Sequence, residues 1–151
     1  MLRVTKLADY GIIILTFFAN RSEGTANARD IAGQVNLPMP IVSKVLKLLN
    51  KAGLLTSQRG IKGGYGLARP PAEITVAGII RALEGPLALT ECSDLKGDCG
   101  LGIGCPVRTN WHLINHAIYS ALENITLAQM AQPFHPSLIG LNAPGRPCDA
   151  R

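Results

Sequence analysis

The sequence predicts a mainly α-helical chain with a small β wing, arranged as a winged helix-turn-helix plus a long C-terminal dimerisation helix. Three observations predict it. Val42, Val45, Leu46 and Leu49 recur at i, i+3, i+4 and i+7, which lines one face of a helix with apolar side chains and leaves Ser43, Lys44, Lys47 and Lys51 on the other. Two strand-like runs, 54–58 and 65–68, bracket a tip of glycines and cations, RGIKGG. Late in the chain, about 106–124, Val107, Trp111, Ile114, Ile118 and Ala121 share one helical face, widened by Leu113, Ala117 and Leu122.

The elements follow in order. Arg3 and Lys6 precede the apolar run GIIILTFFA (11–19), which superficially imitates a secretory signal. Asp9 and Tyr10 interrupt the approach to it, no small-x-small cleavage pattern follows promptly, and nine apolar residues are too few to span a bilayer. The run reads as a buried helix over 7–20, and the chain is expected in the cytoplasm with no membrane partner. Asn27 can cap a second helix over 28–35, with Asp30 favouring its start electrostatically. Asn36 and Leu37 turn the chain, Pro38 and Pro40 stand where prolines are tolerated at a helix start, and Gly53 stops the third helix after Ala52. A short helix, a tight turn and a second helix with a basic outer face form a helix-turn-helix. An ordinary helical hairpin with a solvated lysine face competes with that reading until the RGIKGG hairpin is added; together they make a winged helix.

Beyond the wing, Arg69, Pro70 and Pro71 make a stiff link, Thr75 can cap a helix over 76–83, and Glu84, Gly85 and Pro86 end it. The sequence divides into a DNA-binding unit (1–85), a cysteine loop with the dimerisation helix (86–130), and a proline- and glycine-rich tail (131–151) expected to be disordered. Charge follows the same division. Through Arg69 there are ten Lys and Arg against three Asp and Glu, and from Pro70 onward five against seven, so the first unit is the one suited to a polyanion. The tip lacks the G-x-x-x-x-G-K-[ST] pattern of a nucleotide-binding loop. No cysteine has a neighbouring histidine in the sequence, so nothing points to an enzyme.

Between the two units lies CSDLKGDCGLGIGC, residues 92–105, holding Cys92, Cys99 and Cys105 among four glycines. In a reducing compartment such clustered thiols serve as metal ligands or redox groups rather than as a disulfide framework. Soft thiolates select iron–sulfur clusters or zinc. The spacing, C-x6-C-x5-C, matches neither paired zinc ligands nor ferredoxins. Cys148 stands alone in the tail, as a free thiol.

The opening MLRVTKLADYG, the ARDIA helix (28–32) followed by a helix beginning near Pro40, the wing QRGIKGGYGLA, the segment ITVAGIIRALEG and the three cysteines, in that order, together resemble the Rrf-two-type winged-helix transcriptional regulators, which include the IscR, NsrR and SUF-operon regulators. The resemblance covers about residues 1–130. It implies a transcriptional regulator, expected to act as a repressor: a homodimer binding a palindromic operator and carrying one iron–sulfur cluster per subunit on Cys92, Cys99 and Cys105. It favours [2Fe-2S] over [4Fe-4S], and implies sensing of cluster status, iron, redox or nitric oxide stress, with cluster-assembly genes as targets. Relatives of the IscR type place a histidine three residues after the third cysteine, where this chain has Arg108, which offers no lone pair. His112 and His116 lie one to two helical turns further on and read as surface or dimer-face residues. By likeness to the NsrR type, Asp9 of the partner subunit becomes the fourth ligand. Met39, Ser43, Lys44 and Lys47 on the third helix, and Arg59, Lys62 and Tyr65 on the wing, are the expected DNA contacts. Two other readings compete: a redox or electron-transfer protein carrying the cluster, and a zinc-binding structural interaction module.

Overall fold

The computed structural model describes residues 4–21, 24–60, 63–93, 99–100 and 104–133. Lys62, the side chain of Cys92, Cys148 and the tail beyond residue 133 lie outside the described residues. The elements run α1 (Lys6–Ala19), α2 (Ala28–Val35), α3 (Met39–Lys51), β1 (Leu55–Gln58), β2 (Gly64–Leu67), a 3₁₀ turn (Pro71–Glu73), α4 (Val76–Glu84), a second 3₁₀ turn (Glu91–Ser93), α5 (Arg108–Glu123) and α6 (Leu127–Met130).

Local chemistry accounts for the boundaries. Thr5 caps α1 by accepting from the Ala8 N–H, and Asp9 stands in the first turn, where a carboxylate favours the helix start. The apolar run in α1 is one-sided rather than buried all round: Ile14 and Leu15 are sealed, whereas Ile13 is 37% exposed. Asn27 Oδ1 accepts from Asp30 N at 2.9 Å to open α2. Asn36 ends it in the left-handed region at φ 52°, a conformation asparagine adopts more readily than most non-glycine residues. Two residues later Pro38 precedes α3, with Pro40 in its first turn, where no intrahelical donor is lost.

The core forms where these helices meet. Ile14, Leu15, Phe18, Ile31, Val42, Val45, Leu46, Leu49, Leu54, Leu55, Ile74, Ile79 and Leu83 bury together, so the α3 stripe expected from the sequence is the inward one. α1 and α4 approach closely because Gly11 has no Cβ: one built there would lie 2.2 Å from Leu83 Cδ1. β1 and β2 pair antiparallel, from Leu55 opposite Leu67 to Gln58 opposite Gly64. A bridge between Ala26 and Tyr65 ties this hairpin to the segment before α2.

One element is additional to the sequence reading: α6. Thr126 and Gln129 close it with a capping box, and Leu127 is completely buried in the main core. The chain after α5 therefore returns to the first unit, across the boundary drawn at residue 85. A backbone bridge joins Thr75 to Thr126, with Val76 N donating to Ile125 O at 2.8 Å and Leu127 N to Ile74 O at 2.7 Å. In α5, expected from the sequence with a broad apolar face, no described residue is buried. Leu122 packs near Ala8, Val76 and Ile80, while Val107, Trp111 and Ile114 are 45, 37 and 44% exposed. Its own protomer covers little of the apolar face.

Candidate nucleic-acid interface and cysteine site

The polar face of α3 is presented as its periodicity requires. Lys44 and Lys47 are exposed and Ser43 is half-buried, because the residues that alternate with them fill the core. Met39, at the start of the helix, is 42% exposed. Lys51 follows Lys44 and Lys47 at i+7 and i+4 and is also exposed, so three ammonium groups run down one stripe.

The wing adds Arg59, exposed at the end of β1. The tip turns through Gly60 at φ 119°, and Gly63 N donates to Gly60 O at 2.9 Å. Tyr65 is placed differently from the other wing residues. It is half-buried against the core, and its backbone bonds Ala26 in both directions at 2.9 Å. Its first role is to hold the wing against the body.

The cysteine segment lies between α4 and α5. Its entrance is a turn in which Ser93 N donates to Thr90 O at 2.9 Å and the two hydroxyls stand 2.9 Å apart. Its exit is the start of α5, where Arg108 N donates to Cys105 O at 3.3 Å. Cys99 and Cys105 are free, half-exposed thiols. Such donors suit a soft metal centre: unpaired, accessible and flanked by Gly100 and Gly104, where an added Cβ would meet nothing within 4 Å. Among the described residues, no three His, Cys, Asp or Glu side chains of one protomer come together. Asp9, His112 and His116 are exposed. Arg108 is the first residue of α5.

One residue escaped the sequence reading. The Asn115 side chain accepts from Leu89 N at 3.1 Å and donates to Leu87 O at 3.1 Å, fastening the approach to Cys92 onto α5. Its partners are 26 and 28 residues away, and no local pattern announces such a contact. The cap of α6 did leave a signal, the T-x-x-Q pattern of a capping box at Thr126–Gln129. Among the described residues, no helix is long and apolar enough to cross a membrane.

Comparison with known proteins follows this architecture. The model of the Rrf2 family, described as "Iron-dependent Transcriptional regulator", matches residues 4–133. The HTH-type transcriptional regulator NsrR of Geobacillus kaustophilus is 32% identical over 133 residues, covering 87% of this chain and 90% of that one. Among solved structures, T. potens IscR superposes with a TM-score of 0.66 at 33% identity, covering 91% of this chain and 96% of its own. CymR, described as the global cysteine regulator of B. subtilis, superposes with a TM-score of 0.68 at 32% identity, covering 87% and 97%. The helical body, the two-stranded wing and these likenesses agree: the chain belongs to the Rrf2 family of winged-helix transcriptional regulators and is a regulator rather than an enzyme.

Proposed function

We propose that this regulator works in the cytoplasm as a homodimer on a palindromic operator, and that an iron–sulfur cluster on Cys92, Cys99 and Cys105 sets its affinity for that DNA. One observation carries the reading: the cysteine segment emerges from α4, a core helix of the DNA-binding unit, and leads directly into α5, whose apolar face its own protomer leaves open. A change in the segment therefore reaches both the body that holds α3 and the surface available to a second copy.

The chain's residues divide the work. Lys44, Lys47, Arg59 and Lys62 are assigned to phosphates, while Met39, Ser43 and Tyr65 are assigned groove contacts, Tyr65 in addition to its bracing of the wing. Two copies of α3 related by a dyad address successive major grooves about 34 Å apart. When bound, the cluster supplies an oxidisable, ligand-exchangeable iron centre. [2Fe-2S] is favoured over [4Fe-4S]. By likeness to the NsrR type, Asp9 of the partner subunit is assigned the fourth position, which Arg108 cannot fill because it has no lone pair where relatives of the IscR type offer histidine. An oxygen donor on iron is harder and more readily displaced than thiolate, which suits sensing of oxidant, nitric oxide or iron scarcity. Repression of cluster-assembly genes is the expected output.

Anaerobic purification with iron and sulfide analysis, Mössbauer spectra and operator binding tests the reading. Iron and sulfide are expected in each protomer, with DNA affinity differing between cluster-loaded and cluster-free protein; equal affinities sink it, since a group that both states accommodate equally shifts nothing. Asp9→Ala should change the Mössbauer spectrum. An unchanged spectrum removes Asp9 from the ligand set.

A second reading rests on Cys99 and Cys105 being free, half-exposed thiols together with Arg108 in the ligand-like position. In it the cysteines act as thiols without iron. Absence of iron and sulfide after anaerobic purification, with DNA binding responsive to oxidant and thiol reductant, would establish it. Zinc in place of iron would instead return the segment to a structural role.

A further inference from the structure

We infer that the cleft between α3, α4 and the base of the wing is a further grip on the DNA backbone, in which Lys51, Arg69 and Arg81 hold phosphates beside the groove that α3 enters; the inference rests on the reading of α3 as the recognition helix.

The cleft has a volume of about 580 Å³, and among the described residues its walls carry the cations Lys51, Arg69 and Arg81 and no Asp or Glu. The three come from separate parts of the chain: the last turn of α3, the link after β2 and the last turn of α4. All are exposed. Like charges gathered without a counter-charge repel one another, and an anion between them relieves that repulsion. The floor between the cations is low. Ala52 on α3 lines it together with Gly78 and Ala82, which are one turn apart on α4, so a sugar–phosphate strand meets little bulk on its way to the charges.

Continuity with the face of α3 identifies the anion as DNA phosphate. Lys51 belongs to both surfaces: it follows Lys44 and Lys47 on the outward stripe of α3, and it also forms part of the cleft wall. Leu48 and Ala52, which line the cleft, lie beside that stripe on one flank of the helix. A helix seated in the major groove, about 12 Å wide, has a sugar–phosphate strand on either side. α4 packs against α3 along the cleft flank, so Arg69 and Arg81 stand toward the strand that borders it. The planar fork of each guanidinium matches two phosphate oxygens. Lys51 and Arg81 also sit in the last turns of their helices, where a cation favours the helix end. Arg69 lies in no helix, and that cause does not account for its place in the same cleft.

The test uses the full chain, purified anaerobically, as wild type, Arg69→Gln, Arg81→Gln and Lys47→Ala. The DNA is one duplex selected from a random pool by the wild-type protein and used for every variant. Fluorescence anisotropy across a salt series gives the log–log slope of binding, and each arginine variant should flatten it by about 0.9 per protomer on the duplex. Uncharged methylphosphonates placed one at a time along both strands locate the contact. At a phosphate flanking the α3 groove, the substitution should weaken wild type and leave Arg81→Gln unchanged. A wild-type slope in either arginine variant, with Lys47→Ala flattened, overturns the inference alone. A lower urea midpoint in Arg81→Gln at an unchanged slope also overturns it, by showing that the cation serves its helix end. A midpoint raised by inorganic pyrophosphate in wild type but not in Arg81→Gln, again at an unchanged slope, overturns it by giving the cleft to a free anion. A wild-type slope in Lys47→Ala and in both arginine variants overturns the reading of α3, and this inference with it.

Discussion

Lys47 and Gly11 show how differently single side chains act in this molecule. Lys47 is exposed on the outward stripe of α3, and its flexible ammonium group is suited to phosphate rather than to a base edge. Lys47→Ala should weaken binding to all duplexes alike and flatten the log–log salt dependence by about one unit, measured by fluorescence anisotropy across a salt series. Loss confined to one operator sequence would make Lys47 a base reader instead. Gly11 acts through absence. Alanine gains about 1 kcal/mol of helix propensity, but its Cβ would lie 2.2 Å from Leu83 Cδ1, and overpacking a core costs about 1–3 kcal/mol. Packing wins in part because Leu83 is itself nearly buried, so Gly11→Ala should destabilise by about 1 kcal/mol, read as a lower midpoint in urea. An unchanged or raised midpoint would mean that α4 yields at no cost.

At the level of elements, α6 and the wing are where small substitutions should have large consequences. Leu127 is fully buried, so Leu127→Ala should cost about 2–5 kcal/mol. Thr126→Ala removes only a cap and should cost about 1 kcal/mol. Denaturant unfolding of the two variants compares them directly, and equal effects would show that α6 is held by its cap rather than by its core contact. In the wing, a Cβ on Gly64 would come within 2.6 Å of Ala26 O, so Gly64→Ala should loosen the strap that holds the hairpin to the body and reduce DNA affinity with little loss of thermal stability. The elements legible in the sequence were those with strong local signals: the 3.6-residue stripe of α3, the Asn27 and Thr75 caps, and the Gly60–Gly64 tip. α6 was missed because four residues carry no periodicity, although its Thr126–Gln129 cap was there to read. Tyr65 was legible as a wing residue but not as a brace, since its partner Ala26 precedes α2 and only the folded chain brings them together.

For the whole molecule the open face of α5 decides the outcome. Trp111 and Ile114 lie exposed together, an apolar patch suited to the second copy proposed above. Ile114→Glu should yield a monomer by sedimentation equilibrium, with operator affinity reduced to that of a single half-site. A dimer that persists in this variant would place the interface elsewhere. The sequence revealed that α5 has a broad apolar face, but periodicity cannot say which body covers it. That depended on how α4 and the cysteine segment hang the helix from the core. At the candidate site, the type and density of Cys92, Cys99 and Cys105 point to a soft metal centre or redox thiols, which remains the proposal, whereas Asn115 has no signature short of the fold.

The backbone bridge between Thr75 and Thr126 makes the stretch between them an insertion. The chain first lays α4 into the core of the DNA-binding body, then leaves it to build the cysteine segment and α5, and rejoins beside the start of α4 before α6 seals the core. An excursion whose ends already touch places no demand on what lies at its far reach. The part after α4 can therefore be lengthened, shortened or exchanged while the recognition helix keeps its seat. One reading head can thus carry different sensors, and a segment grafted between Gly85 and Glu123 from a relative should bring its own signal to this chain's DNA site.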